Sequence, residues 1–245
     1  DVYEYTLTTA FDVSTASFVD SIDVGVGTLG ASGSEGDNSA NSLEFNTDGT
    51  KLFVLGQGND LVNEYALSAG FDVSTASFTR SLLIRPQENL PYGLAFNNDG
   101  TKMFITGRQG NDVNEYVLTT GFDISTASYS QKFSLSNESI TRSSAVQFNS
   151  DGSIMYVLEG GTSGAGDNTI YQYTLTTEFD VSTASYTGKL FSVVTEEDKA
   201  RGFCFGDNGT QLYVAGWKGD DINQYTASGT TVFPEASAGA IFQVS

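Results

Sequence analysis

The sequence predicts an all-β chain of repeated four-stranded antiparallel units, and three observations carry that reading. One phrase recurs four times: FDVSTASF from Phe11, FDVSTASF from Phe71, FDISTASY from Phe122 and FDVSTASY from Phe179. A second interleaves with it: EFNTDGTKLFVLG from Glu44, AFNNDGTKMFITG from Ala95, QFNSDGSIMYVLEG from Gln147 and CFGDNGTQLYVAG from Cys204. Finally, no window keeps an apolar face at helical spacing beyond one turn, whereas apolar and polar residues alternate at the strand period in several segments. Self-similarity at a period of roughly 40 to 60 residues marks a repeat architecture. Positions kept in every copy serve the unit's shape, and positions that differ are free to build one particular site.

The copy around Ala95 shows how each unit is assembled. GLAFNNDG from Gly93 reads as a short apolar strand ending in an Asn-Asp-Gly turn, and TKMFITG returns from it as a hairpin partner, with Gly100 supplying the positive φ the turn requires. VNEYVL from Val113 alternates as a third strand, and YSQKFSL after the FDISTAS phrase closes the unit as a fourth. The FDVSTAS phrase itself predicts a connection between third and fourth strands. Its Phe and Val plug into the unit, while Asp12 and Ser14, with Asp72 and Ser74, bond nearby backbone N–H groups.

Units of about 50 residues with four antiparallel strands cannot bury both faces alone, and radial stacking of blades solves this while hiding sheet edges. The Phe-Asn-x-Asp-Gly-Thr-Lys hairpin resembles the Ser-Pro-Asp-Gly-Lys hairpin of YVTN-type, TolB-type and WD-repeat-like β-propellers, in register along nearly the whole chain. That resemblance implies a β-propeller and, because such rings host enzymes, adhesins and scaffolds alike, no particular activity. The chain reads as one domain over 1–245, with units at about 42–84, 93–135, 145–194 and 202–233 and an N-terminal half-blade at 1–24. GAIFQVS from Gly239 lines up with GLAFNND from Gly93 as a further first strand. Joined to the N-terminal pair, it closes a five-bladed ring; the alternative is four blades with spare strands, or a fragment of a larger array.

Composition bounds the rest. A chain of 245 residues buries roughly 70–75% of its unfolded surface and needs no metal or disulfide to hold it. The single cysteine, Cys204, lies between Phe203 and Phe205 and reads as a small buried hydrophobe. The net charge of −19, from 30 acidic and 11 basic residues, repels phosphate backbones and anionic lipid, so neither nucleic acid nor a membrane surface is an expected partner. No apolar run of about 18 residues is present to form a membrane-spanning helix. Asp1 opens the sequence in the middle of a repeat, which suggests a processed product or a piece of something longer.

The near-invariant Asp-Gly hairpins and FDVSTAS loops are expected on one face of the disc, and the variable connections on the other. The latter are the links Gly25 to Asn41, Arg85 to Pro91, Asn137 to Ser143 and Thr195 to Arg201, together with those between second and third strands. Function rides on loops over a rigid scaffold, so the variable face is the candidate site. Four residues before Phe45, Phe96, Phe148 and Phe205 stand Asn41, Tyr92, Ser144 and Arg201, at the expected channel mouth. After the second strand's glycine come Gln57, Arg108 and Trp217, with Glu159 and Gly160 in the irregular copy. Because aromatic and Arg side chains dominate binding energy, Tyr92, Arg108, Arg142, Arg201 and Trp217 are the expected ligand-binding set. No aromatic platform recurs once per blade, so one asymmetric site is expected in place of equivalent sugar pockets.

Asp60, Asp112, Asp167 and Asp221 fall in GNDLVN, GNDVN, GDN and GDDIN links of recurring Asn/Asp character. Hard oxygen ligands suit Ca²⁺, which takes about six to eight of them, but no copy holds an Asp-x-Asp-x-Asp-Gly loop, so turn formation accounts for the pattern and no cofactor is expected, with calcium at these aspartates as the lesser alternative. With no histidine, Ser-His-Asp triads, Cys-His dyads and imidazole metal sites are excluded. Carboxylate chemistry stays open through Glu196, Glu197 or Asp198 with Arg201 and Arg142, although the TEEDK stretch reads as a solvated loop. The expectation is a non-enzymatic recognition, adhesion or structural propeller, secreted or on a cell or virion surface, that binds a protein or carbohydrate; its repeats resemble those of marine bacterial and phage surface proteins. The alternative is a propeller enzyme, a lactonase or a carbohydrate-active lyase or hydrolase, working through carboxylates and arginine.

Overall fold

The computed structural model describes all residues except 26–38, 162–167, 207–208, 218–220, 227–242 and 245. Its strands form antiparallel sheets set radially as the blades of a β-propeller. Four sheets consist of consecutive strands. The first holds β3 (Ala40–Phe45), β4 (Lys51–Gly56), β5 (Leu61–Leu67) and β6 (Ala76–Leu83), and the second β7 (Pro91–Phe96), β8 (Lys102–Gly107), β9 (Asp112–Leu118) and β10 (Ala127–Ser134). The third holds β11 (Ser143–Phe148), β12 (Ile154–Glu159), β13 (Thr169–Leu175) and β14 (Ala184–Ser192), and the fourth β15 (Ala200–Gly206), β16 (Gln211–Gly216) and β17 (Ile222–Thr226). These are blades B, C, D and E. Blade A joins the ends of the chain: β1 (Val2–Leu7) and β2 (Ala16–Ile22) take β18 (Gln243–Val244) as their third strand. The last strand pairs directly with β1, Val2 opposite Val244 and Tyr3 opposite Gln243, so it holds the place a second strand holds elsewhere.

Apolar alternation puts the core between blades. Val2, Ile22 and Val24 pack on Leu52, Val54 and Tyr65 between A and B; Phe53 and Leu55 pack on Leu94, Met103 and Ile105 between B and C. Phe104 and Val113 meet Phe148, Met155 and Val157 between C and D, and Tyr156 and Leu158 meet Phe203, Phe205 and Leu212 between D and E. The seam from E back to A is different. There the Tyr213 hydroxyl and the Gln224 side-chain amide (3.0 Å) both donate to the carbonyl of Phe11, and Val13 N–H donates to Gln224 Oε1 at 3.4 Å.

The polar contact at that seam recurs at the seams A–B, B–C and C–D. Each FDVSTAS phrase makes one 3-10 turn, as at Val73–Thr75, capped by an aspartate that accepts from the serine two residues on, Ser74 N to Asp72 Oδ1 at 3.1 Å. The turn's first N–H donates to the third strand of the preceding blade: Val73 to Glu4 (3.0 Å), Ile124 to Glu64 (3.4 Å) and Val181 to Glu115 (3.1 Å). Glu64 and Glu115 are buried, each with a lysine of its own blade 3.1 Å away, Lys51 and Lys102. Those lysines also reach the carbonyls of Phe122 (2.6 Å) and Phe179 (2.7 Å). Four phenylalanines that open the phrase, Phe11, Phe71, Phe122 and Phe179, sit at φ between 53° and 64°. A left-handed backbone is costly for so bulky a residue; the lysine holds the carbonyl of Phe122 and Phe179, and Tyr213 and Gln224 hold that of Phe11.

The Asp-Gly hairpins take a longer form than a two-residue turn. Gly49 N–H closes a four-residue turn on Asn46 O at 3.0 Å, while Asp48 Oδ1 accepts from Thr50 N and Asn46 Oδ1 from Lys51 N. The glycine follows the turn as its left-handed residue, at φ +71° for Gly49, +70° for Gly100, +72° for Gly152 and +78° for Gly209. A Cβ on Gly100 would run into the Phe122 ring as well as strain the backbone. Gly100→Ala should therefore lower stability by about 2–4 kcal/mol, more than the left-handed penalty alone, whereas Gly202→Ala, where a Cβ meets open space, should stay within about 0.5 kcal/mol of the parent in urea unfolding.

Candidate functional site

The inner strands bring the variable positions to the channel mouth by a shared irregularity. In β3, β7, β11 and β15 the register on the neighbouring strand slips by one residue, between Ala40 and Ser42, Pro91 and Gly93, Ser143 and Ala145, and Ala200 and Gly202. The residue skipped by each slip is Asn41, Tyr92, Ser144 or Arg201. A bulge re-aims the side chain of the extra residue, so these four leave the ladder at equivalent points of the mouth. Beside each stands the residue after the second strand's last position.

The four pairs are chemically unlike. In blade B, Asn41 Nδ2 donates to Gln57 Oε1 at 3.3 Å and to Pro91 O at 2.9 Å. In blade C the Arg108 guanidinium lies over the Tyr92 ring, 3.9 Å from its centroid. Blade E pairs Arg201 with Trp217 at 4.6 Å. Blade D offers only Ser144 and Gly160, and a Cβ on Gly160 would strike the Ser144 hydroxyl. With no larger side chain there, Arg201 reaches past blade D to within 5.7 Å of the Tyr92 centroid. Arg108, Tyr92, Arg201 and Trp217 form one continuous stack.

Stacking satisfies the guanidinium faces but not their edges. Nε and Nη2 of Arg108 and Nε and Nη1 of Arg201 are shut off from solvent with no hydrogen-bond partner among the described residues. Burial pulls the Arg201 guanidinium below the usual arginine range, and the neighbouring Tyr92 pushes it back up. Trp217 remains 66% exposed at the lip of the stack. Four of the five residues expected to bind ligand are thus gathered. Arg142 lies at the link into blade D, where its carbonyl accepts from Gly160 N at 2.9 Å, and it makes no ring contact with the stack among the described residues.

Two buried carboxylates brace this face, and sequence reasoning had placed one of them in a solvated loop. Glu197 is fully buried against Gly216, its Oε1 accepting from Lys199 N at 2.7 Å; Glu88 repeats the arrangement against Gly107, accepting from Leu90 N at 2.8 Å and Gly110 N at 3.1 Å. They hold the backbone that carries Trp217 and Arg108. Glu196 stands apart, accepting from the Tyr225 hydroxyl at 3.2 Å. The acidic links take roles other than a shared ion site. Asp60 pairs with Arg85 at 2.7 Å, Asp112 with Lys132 at 2.6 Å, and Asp221 accepts from Asn223 at 3.2 Å, while Asp167 lies outside the described residues. Among the described residues no three potential metal ligands stand together.

Below the mouth the channel holds an acid that sequence reasoning missed. Glu44 of β3 accepts from Gln147 Nε2 of β11 at 3.2 Å, across the ring from a strand that is not its neighbour. Cys204, at the same level of β15 and opposite in alternation to Phe203 and Phe205, joins them. Burial pushes the Glu44 carboxyl up to about 8 against a small lowering by Gln147, and pushes the Cys204 thiol up to about 12, with Glu44 adding to it.

No protein-family model and no curated protein matches the chain. Solved structures do. A candidate 6-phosphogluconolactonase from Bacteroides fragilis matches with a TM-score of 0.54 at 15% identity, over 93% of this chain and 63% of that one. Another from Bacteroides uniformis gives 0.55 at 14% identity, over 98% and 66%. The periplasmic gluconolactonase of Pseudomonas aeruginosa gives 0.53 at 17% identity, over 83% and 56%. The chain is a β-propeller that spans less than two thirds of each of these proteins. The expectation of a non-enzymatic adhesion module, and with it the leaning against catalysis, is corrected by these likenesses, which fall on propellers named as lactonases.

Glu44 generates a pH prediction. Below about pH 4.5 folded and unfolded chains both hold this proton; between about 4.5 and 8 the unfolded chain releases it and the folded one keeps it, so the stability it confers falls across that window and levels off above it. Glu44 stays partly accessible, so Glu44→Gln should flatten the decline and raise stability at pH 8 by roughly 1–3 kcal/mol. Unfolding by urea at pH 5 and pH 8 measures both slopes, and parallel slopes would refute the assignment.

Proposed function

We propose that the chain forms the substrate-binding mouth of a lactonase-type propeller enzyme acting on a sugar-acid lactone. The observation that carries this reading is the arginine–aromatic stack, in which partnerless guanidinium edges meet at the channel mouth beside a tyrosine and an exposed tryptophan. Lactone hydrolysis adds water to the ring carbonyl, passes through a tetrahedral oxyanion and breaks the ring C–O bond to give a hydroxy acid. Negative charge appears on oxygen in the transition state and stays in the product carboxylate. Fixed N–H donors in a site shielded from water are suited to stabilise that charge. Tyr92 and Trp217 offer apolar faces for a sugar ring, and the lactonase names of the fold's solved relatives support the same substrate class. An extracellular setting is a further proposal, supported by a net charge of −19.

The test is hydrolysis of glucono-δ-lactone and its 6-phosphate by the full chain, followed by proton release in a weak buffer and corrected for spontaneous opening. The chain should accelerate at least one of them. Arg201→Ala should lower kcat/KM by about 100-fold with an unchanged melting temperature, because loss of one such donor costs about 2.7–4 kcal/mol in the transition state. Rates equal to buffer for both lactones would reject the reading.

A further inference from the structure

The stack presents more donors than a lactone needs. One oxyanion is served by two or three hydrogen bonds, whereas Arg108 and Arg201 between them hold four nitrogens that have no hydrogen-bond partner among the described residues. Both guanidiniums lie against the same Tyr92 ring, at 3.9 and 5.7 Å from its centroid, so a single small ligand reaches both. Their faces are taken by aromatic rings, which leaves the in-plane N–H edges as the free valence. That edge geometry matches a tetrahedral oxyanion with several acceptor oxygens.

The surroundings strengthen the case. Of the five arginines, Arg80 and Arg85 are ion-paired, whereas Arg108 and Arg201 lie against aromatic rings in a chain with 30 acidic and 11 basic residues. Three carboxylates near the stack are engaged elsewhere: Glu88 and Glu197 accept from backbone N–H groups of their own links, and Asp112 pairs with Lys132. Leaving buried guanidinium edges unpaired is costly unless a ligand supplies the counter-charge. A lone carbonyl oxygen does not, and a phosphate does.

From this we infer that Arg108 and Arg201 clamp the phosphate of a phosphate monoester, so that the ligands of this mouth are phosphorylated small molecules, sugar phosphates in the lactonase reading. The inference rests on that reading only for the sugar and stands on the clamp for the phosphate. A net charge of −19 supplies no general attraction for anions, so saturable phosphate binding would report a built site.

Trp217 is the one tryptophan of the chain and stacks on Arg201, which makes its fluorescence a direct reporter. The full chain is titrated with inorganic phosphate, glucose 6-phosphate and, as the unphosphorylated acid, gluconate, with calorimetry as a second readout. Phosphate and the phosphate ester should give saturable responses, with gluconate at least tenfold weaker. Because the second phosphate ionisation lies near pH 6, affinity should rise several-fold between about pH 5 and pH 7.5, while sulfate shows no such rise. Arg108→Gln and Arg201→Gln should each weaken phosphate binding by about tenfold or more without changing the circular dichroism or the melting temperature. Calorimetry that shows no phosphate binding up to tens of millimolar, gluconate binding as tightly as phosphate, or phosphate binding that survives both substitutions would overturn the clamp. Lactone hydrolysis without phosphate binding would overturn the clamp and leave the lactonase reading standing. Phosphate binding without hydrolysis would do the reverse.

Discussion

The ring depends on one polar contact made at four of its five seams: a third-strand side chain that receives the first N–H of the next blade's FDVSTAS turn. Glu4, Glu64 and Glu115 do this in sequence, and Gln224 closes the circle onto Val13. Burying Glu64 or Glu115 alone would be prohibitive, but each has a lysine 3.1 Å away and backbone donors on its oxygens. The same lysine holds the carbonyl of a phenylalanine in a left-handed conformation that its side chain disfavours. In these two copies strain, ion pair and turn form one unit; at Phe11 and Phe71 the strain and the turn recur without the ion pair. The shared contact fixes the angle between blades, and that angle sets which mouth residues meet.

The gathered stack follows from this constraint. Tyr92 and Arg201 sit on strands of blades C and E, separated by a whole blade, and come together because β7, β11 and β15 carry the same bulge at the same height. Blade D then contributes by subtraction: Ser144 and Gly160 leave the space through which Arg201 passes. A larger residue at Gly160 would collide with Ser144 and block that path. Asymmetry in a site made of near-identical units therefore needs small residues in one copy as much as large ones in the others.

Much of this was legible in the sequence, for reasons that also explain what was not. The repeats gave the blades, and divergence at fixed offsets from Phe96 and Phe205 singled out Tyr92, Arg108, Arg201 and Trp217, since only mouth positions were free to vary. Arg142 shares their chemistry but lies in a link, where no strand register dictates its direction. The left-handed phenylalanines carried no signal, because that conformation is usually marked by glycine, asparagine or aspartate. The carboxylate of Glu197 read as solvated because buried backbone donors cannot be seen in a sequence. Glu44 and Gln147 meet only because the ring closes, and alternation alone does not tell a side chain facing the channel from one facing solvent.

Charge unites scaffold and site. Lys51, Arg80, Arg85, Lys102 and Lys132 are each committed to a carboxylate. Arg108 and Arg201 are committed to aromatic rings, which leave their charge uncompensated. At distances beyond about 8 Å in physiological salt the excess of acid is screened, so an arriving anion feels the repulsion of −19 charges only in part. Within that distance the low-dielectric stack dominates, and its field has the opposite sign. The mouth therefore meets an anion with only a screened repulsion at a distance, and holds one that fits the guanidinium edges closely enough to lose its water.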